Sequence, residues 1–498
     1  MSERACLGIS DLVRHAARAW PDGTAIVAGD VRLSWAELDA RASRAAAALR
    51  ASGAEAGERV SLSLPSGAQF VIGYLAALRA GLVAVPVNPA YSPTEIEHIL
   101  ADSGATIHLD AEQVHALLVG AGDAEGDDGA DRGADPGADP GADRGGEALS
   151  ALLYTGGTGG RPRGAMLSAR ALLANLDQLA AVQPPLLSAG DVLFVPLPLS
   201  HVFGLNAGLG MAARVGATAV LAARFDPAAT LATMAAERVS AVLGVPGQYA
   251  AWLREADVAA GFASVRFAMS GSSTLPRAVV EAFGELGVVL HDGYGLTEAA
   301  PVVSINALGA GREHPTPGSV GHAVPGVQVE LRDADGEQVE AGDPGRLFVR
   351  GANLFSGYWP RGEDGPDGDG WFATGDLAIA DDAGELHLLG RSEELVVVNG
   401  FSVYPTEVEA VLAAEPGVAE VAVVGSASAT SPTALRAYVV PVAGAVLDAA
   451  ELRAAAQRYL ARFKVPESVE VVPCLPRTVA GKIMKWALDP GGTGDVRG

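Results

Sequence analysis

The residues best suited to chemistry run from Tyr154 to Gly164, YTGGTGGRPRG, directly after the apolar run Ala151-Leu152-Leu153. Glycines let backbone N–H groups approach phosphate oxygens, Thr155 and Thr158 add hydroxyl donors, and Arg161 and Arg163 offset negative charge. This chemistry suits a phosphate-gripping loop; a plain glycine-rich turn is the alternative that composition leaves open. A P-loop is excluded, because no Gly-Lys-Ser/Thr follows. A dinucleotide fingerprint fails, because Pro162 stands where its third glycine belongs. A second spacing, Gly208-x-Gly210-x-x-Ala213, lacks both a preceding bare strand and an acid at the right distance, so a nicotinamide-cofactor enzyme has little support.

Strand-like runs must hold such a loop. ALLYTGGTGG, VLFVPLPLSH, VSAVLGVPG, VRFAMSGSS and VVLHDGYGLTE each end in a polar or glycine-rich turn, and ligands collect at the carboxyl ends of strands in open parallel sheets. Upstream, Ser34 with Glu37, and Ser92 with Pro93 and Glu95, are capping-box starts of two helices that stop near Gly53 and Gly104. Between and after them RVSLSLP, LVAVPVNP and ATIHLD read as strands, so helix and strand alternate as in a helix-covered parallel sheet. Phe70 to Val87 is the most apolar early stretch, but Arg79 and Gly81 break it, which predicts a buried helix and then a strand, with no transmembrane segment. From 391 onward GRSEELVVVNGFSVYP leads to a helix starting near Thr406 and the strand runs VAEVAVVG and LRAYVVPV. This predicts a small α+β domain over 391–498 after a large domain over 1–390.

Residues 120–146 are Gly, Ala, Asp and Pro with GAD repeated, a composition that cannot build a core and reads as a flexible acidic linker within the large domain. The 498-residue chain carries 35 Lys plus Arg against 59 Asp plus Glu, a net −24 that argues against a nucleic-acid partner. Its two cysteines, Cys6 and Cys474, support neither a disulfide framework nor a zinc site. With no signal-peptide pattern at the start, the expected location is cytoplasmic.

The loop resembles the signature of the adenylate-forming (AMP-binding) superfamily, of the acyl-CoA synthetase or fatty-acid-CoA ligase branch, usually YTSGTTGxPKG. PLSHVFGLN, MSGSSTLP, DGYGLTE, WFATGDLA, GRSEELVVVNGFSVYP and PRTVAGKIMK follow in the family's order, so the resemblance spans about Thr24 to Leu488. It implies an α/β fold: a large N-terminal domain of doubly wound α/β subdomains plus a distorted β-barrel, and a small mobile α+β C-terminal domain. The implied activity is ATP-dependent, Mg²⁺-assisted conversion of a carboxylic acid to acyl-AMP with release of pyrophosphate, then transfer to the thiol of CoA. An acyl carrier protein as acceptor, or a weakly active nucleotide-binding relative, are the alternatives.

By the same resemblance, Thr155, Gly156, Gly157, Thr158, Gly159 and Arg163 meet the phosphates, and Gly271 and Ser272 form the adenine-side turn. Asp292 accepts from the adenine amino group, and Gly293, Tyr294 and Gly295 line the base. Thr297 reaches the α-phosphate, Glu298 holds Mg²⁺, and Asp376 and Arg391 bind the ribose. Lys482 bridges the acid and the α-phosphate, His201 lies beside the acyl carboxylate, Glu394 is the hinge, and Gly400 lines the thiol tunnel. Bringing two anions together is the main barrier, which a positioned ammonium lowers.

Several positions depart from the family pattern. Gly156 and Gly159 replace loop hydroxyls, Arg163 replaces a lysine, Ala169 stands where a histidine is common, and Glu393 stands where a lysine is usual. HVFGLN has no aspartate to hold an α-ammonium, and Gly293 stands where malonate-activating relatives carry arginine. With Phe203, Leu205 and Val245 apolar, the expected acid is a neutral acyl chain or an aryl acid, and Gly293 is expected to add room.

Overall fold

A computed structural model describes residues 8–119, 145–155, 162–307, 315–398, 401–426, 434–477 and 483–488. Most of the acidic 120–146 segment, six residues of the glycine loop (Gly156 to Arg161), Gly400 and Lys482 lie outside them.

Local chemistry sets the helix starts. Ser34 Oγ accepts from the Glu37 amide at 3.2 Å while the Glu37 carboxylate accepts from the Ser34 amide at 2.8 Å, opening the helix Trp35–Ala51. Ser92 and Glu95 repeat the device ahead of Pro93–Ser103, which ends at Gly104 in the left-handed region. Each such cap contributes about 1 kcal/mol. The stretch Phe70 to Val87 is a helix, Ala68–Arg79, followed by the strand Val83–Pro86. Arg79 is buried with it, so its guanidinium takes partners inside: Asp39 Oδ1 at 2.6 Å and Ser43 Oγ at 2.7 Å.

Two sheets carry the described chain as far as Ala323. The smaller runs Ile107–Leu109, Arg59–Leu62, Val83–Pro86, Leu149–Thr155, Arg163–Ser168, parallel except for the last strand. The larger has nine strands, with six parallel neighbours at its centre: Leu290–Gly295, Phe267–Ser270, Ala241–Gly244, Val192–Val195, Thr218–Leu221 and Thr24–Ala28. Parallel strands put their carboxyl ends on one edge, so the turns after Val195, Gly244, Ser270 and Gly295 share that edge. An aromatic core backs this sheet, where Tyr249, Trp252, Phe262 and Phe283 meet mostly edge to face, each pair worth about 0.5–1.5 kcal/mol beyond its buried area. Tyr249 also donates to the Met269 carbonyl at 2.9 Å, tying this core to the strand Phe267–Ser270.

A four-stranded sheet, Val327–Arg332, Gly345–Gly351, Phe372–Ala380, Leu386–Arg391, occupies the region where the resemblance implied a distorted barrel. Beyond it the strand pair Val396–Val398 and Phe401–Val403, the helices Pro405–Ala413 and Ala449–Tyr459, and a three-stranded sheet share their own core of Val403, Val408, Leu412, Val423, Leu435 and Val439. The chain divides into two compact units: the described residues before 157, in 161–328 and in 349–372, and those in 329–348 and from 373 on. The second unit starts ahead of the sequence change at 391, because the strands ending in Arg391 sort with it. Among the described residues no helix is long and apolar enough to cross a membrane.

Candidate active site

The glycine loop spans a hairpin. Leu149–Thr155 and Arg163–Ser168 pair antiparallel, with Tyr154 opposite Gly164 and Thr155 opposite Arg163. A strand follows this loop where a P-loop or a dinucleotide fingerprint needs a helix, which agrees with the exclusion of both. Of the predicted loop residues, Thr155 closes the first strand and Arg163 opens the second, while Gly156, Gly157, Thr158 and Gly159 lie outside the described residues. The hairpin base is anchored outside the motif: Tyr154 donates to Asp102 at 2.6 Å, and His98 Nε2 lies 2.9 Å from the Pro162 carbonyl.

On the edge of the large sheet, His201 to Asn206 sit where a turn passes into a helix. The His201 amide donates to the Pro198 carbonyl at 3.0 Å, and Phe203–Gly210 is π-helical before Met211–Val215 continues as α-helix. Such π segments mark functional sites more often than ordinary helix does. Gly208 and Gly210 are helical and packed, with Gly208 against Val195 and Gly210 against Leu176, which removes the nicotinamide-cofactor reading of that spacing. Burial holds the His201 imidazole pKa below its usual value, favouring the neutral ring.

Gly271 and Ser272 follow the strand Phe267–Ser270. A side-chain carbon at Gly271 would come within 3.2 Å of the Phe203 ring, and Ser272 holds φ +71°, a left-handed conformation uncommon outside glycine. Asp292, Gly293, Tyr294 and Gly295 close the next strand, Leu290–Gly295, and Thr297 and Glu298 form the short helix after it. The buried Asp292 donates its amide to Asn306 Oδ1 at 2.6 Å and accepts from the Gly293 amide at 3.0 Å. Burial pushes the Asp292 carboxyl up to about 7, outweighing the pull of that amide.

Glu298 is 8% exposed, so the surface position its type would suggest is not where it lies. It accepts a short hydrogen bond from the Tyr358 hydroxyl, and the Arg163 guanidinium stacks 3.8 Å over that tyrosine ring. Arg163 also pairs with Asp364 at 2.7 Å. A buried carboxylate joined through Tyr358 to Arg163 suits Mg²⁺, which takes one or two carboxylates together with substrate phosphates.

Two expectations for the acyl pocket need correcting. Gly293 does not add open room, since a side-chain carbon there would lie 2.3 Å from the Met269 methyl, which already fills the space. Leu205 lines a small apolar crevice with Ile9, Val71 and Tyr74, whereas the Phe203 ring lies against Gly271, because positions two apart on a helix face different ways. Val245 caps the helix Pro246–Trp252 at the end of its strand.

In the second unit Asp376 and Arg391 are register partners on neighbouring antiparallel strands, with Arg391 Nε 3.0 Å from Asp376 Oδ1. Glu394 ends the short helix Ser392–Glu394 and pairs with Lys485 at 2.9 Å, while Lys485 reaches Glu409 at 2.9 Å as well. Burial lowers the Lys485 pKa, but Glu409 and Glu394 outweigh it and the net shift is upward. Tyr358, Met269 and Lys485 were missed by sequence reasoning. None has a spacing signal, although Lys485 falls three residues after Lys482.

The AMP-binding enzyme family matches residues 13–359, and the AMP-binding enzyme C-terminal domain matches 407–482. A long-chain-fatty-acid–CoA ligase of Yersinia pestis is 33% identical over 527 aligned positions, covering 96% of this chain and 93% of that one. A feruloyl-CoA synthase of Amycolatopsis sp. is 34% identical over 487, covering 94% and 96%. Among solved structures, ATP-bound MatB from Rhodopseudomonas palustris superposes with TM-score 0.85 at 32% identity, covering 97% of this chain and 99% of that one. An anthranilate CoA ligase in complex with anthranoyl-AMP gives TM-score 0.85 at 26% identity, with 98% and 97% covered. The hairpin-borne glycine loop, the strand-edge turns and these matches agree: the chain belongs to the AMP-binding enzyme family and is an adenylate-forming, AMP-forming acid–thiol ligase.

Proposed function

We propose that this enzyme activates a neutral acyl chain or an aryl acid and passes it to CoA, in the cytoplasm, with the roles implied for its residues by the family order of its motifs. The observation that carries this reading is Glu298, a buried carboxylate at the strand edge, joined through Tyr358 to Arg163 at the base of the glycine hairpin. An anion-binding arginine and a cation-binding carboxylate in one cluster suit a metal-complexed polyphosphate.

In the first half-reaction the acid's carboxylate oxygen attacks the α-phosphorus of ATP and pyrophosphate leaves, giving acyl-AMP. Glu298 would hold the magnesium, which when bound neutralises phosphate charge. Arg163 and the loop amides would bind the outer phosphates, Thr297 the α-phosphate, and Lys482 would stabilise the oxygens that must meet. Asp292, with Gly271 to Ser272 and Gly293 to Gly295, would seat the base; two carboxylate oxygens on Asp376, oriented by Arg391, suit the ribose diol. His201, held neutral, can lie beside the acid without pairing permanently with it.

In the second half-reaction a thiolate attacks the acyl carbonyl and AMP leaves. We place the functional boundary at 390/391, with residues 391–498 turning about Glu394 so that Lys482 departs and Gly400 arrives at the thiol path. The Lys485 bridge to Glu394 and Glu409 supports a hinge held in a defined state. Met269 and Phe203, both apolar, favour an uncharged acid.

Screening acids by hydroxylamine-trapped adenylation, then measuring AMP release with CoA or with a phosphopantetheinylated carrier protein, tests the reading. Hydroxamate from uncharged acids and AMP release with CoA are expected. Release with the carrier protein alone would reassign the acceptor, and hydroxamate only from amino acids or diacids would overturn the substrate class.

A further inference from the structure

The cluster at Glu298 contains a residue to which no role has been given. Tyr358 makes two contacts of different kinds from two parts of one side chain: its hydroxyl donates to Glu298 Oε1, and its ring face carries the Arg163 guanidinium at 3.8 Å. A phenol hydroxyl lies in the ring plane, whereas a stacked cation lies above it, so one tyrosine keeps an anion and a cation on perpendicular sides of itself. The ring is fixed from behind. Phe355 meets it edge-on at 5.0 Å and 78°, the Tyr358 amide donates to the Glu363 carbonyl at 3.0 Å, and Asp364 takes Arg163 at 2.7 Å. The next residue is anchored too: the Trp359 amide donates to the Gly164 carbonyl at 2.8 Å, on the strand that carries Arg163.

We propose that Tyr358 is a positioning residue for metal and triphosphate: its hydroxyl holds one oxygen of Glu298 so that the carboxylate is oriented for the cation. Its ring meanwhile holds Arg163 toward phosphate and keeps it from neutralising Glu298. Two unlike charges gathered on one side chain would otherwise pair and be lost to the ligand. A carboxylate already hydrogen-bonded by an outer partner binds metal in a set direction, and removing such partners typically weakens metal affinity 10- to 100-fold. The inference rests on the proposed metal role of Glu298 and deepens it.

Tyr358→Phe removes the hydroxyl and keeps the ring; Tyr358→Leu removes both. ATP binding by calorimetry, with and without magnesium, and the magnesium concentration for half-maximal pyrophosphate exchange are the readouts, with melting temperature as a check on folding. Tyr358→Phe is expected to raise the magnesium requirement about tenfold and to leave ATP binding without magnesium within about twofold of the parent. Tyr358→Leu is expected to weaken ATP binding without magnesium as well, through the freed arginine. A shift in melting temperature with an unchanged magnesium requirement in Tyr358→Phe overturns the proposal. Glu298→Gln separates the two readings: if it keeps the parent's magnesium dependence, the metal role of Glu298 fails, whereas loss there with no change in Tyr358→Phe removes only the role of the tyrosine.

Discussion

Asp376 and Arg391 face each other as register partners on adjacent antiparallel strands, with Nε of the arginine 3.0 Å from Oδ1 of the aspartate. The arginine also donates to the Thr374 carbonyl at 3.0 Å, so its fork is fixed at two points and in turn orients the carboxylate.

From this pairing, Asp376→Asn is expected to raise the KM for ATP at least tenfold with a smaller change in kcat, because an amide offers one acceptor oxygen to a diol that uses two. Arg391→Lys keeps charge and loses the fork, and its KM effect is expected to be about tenfold. The double variant should lose less than the product of the two, since the residues act through one contact. Steady-state kinetics on the three proteins checks all of this.

Lys482→Ala is expected to slow acyl-adenylate formation about a hundredfold to a thousandfold, the usual effect of removing a group that stabilises charge in the transition state. Thioester formation from supplied acyl-AMP should stay within about threefold of the parent if, as proposed, the lysine serves only the first half-reaction. Quenched-flow measurement of each half-reaction separates the outcomes; equal loss in both would remove its assignment to adenylation.

Asp292 makes a pH prediction whose sign follows from its burial. Its folded pKa, about 7, lies above the ordinary carboxylate value of 3.8, so folding favours the protonated form. Its contribution to stability is therefore fully present below the unfolded value and is lost as pH rises toward 7. Adenine's amino group needs an acceptor, so the KM for ATP should fall as pH rises through neutrality. In Asp292→Asn that dependence should flatten, and an unchanged pH profile would show that the carboxyl does not face the base.

Met269 fills the space beside Gly293, so Met269→Ala is expected to open the pocket. The ratio of kcat/KM for a bulky aryl acid to that for a small linear acid should rise about tenfold, the scale that a few methylenes set in apolar pockets. Competition assays with paired acids read this directly.

Restoring hydroxyls to the loop, Gly156→Ser with Gly159→Thr, is expected to speed pyrophosphate exchange about tenfold by adding donors to the outer phosphates. An unchanged rate would mean that the backbone amides already suffice.

Local patterns made much of the frame legible. The capping pairs Ser34 with Glu37 and Ser92 with Glu95, and the apolar runs ending in glycine turns, act over a few residues, so their chemistry survives reading along the chain. The ordered motifs carried the family, and the acyl-CoA ligase relatives bear it out.

Contacts across long sequence separations had no such trace. Reading along the chain was enough to suggest which residue types could grip a nucleotide and which strands would carry them, because propensity, capping and periodicity are short-range properties. It took the folded chain to put Tyr358 between Glu298 and Arg163, and to put the Met269 methyl in the space a glycine at 293 was expected to open. Those outcomes depend on packing between segments far apart in the chain, where side-chain volume and direction decide which groups meet, and neither is written in the spacing of residues.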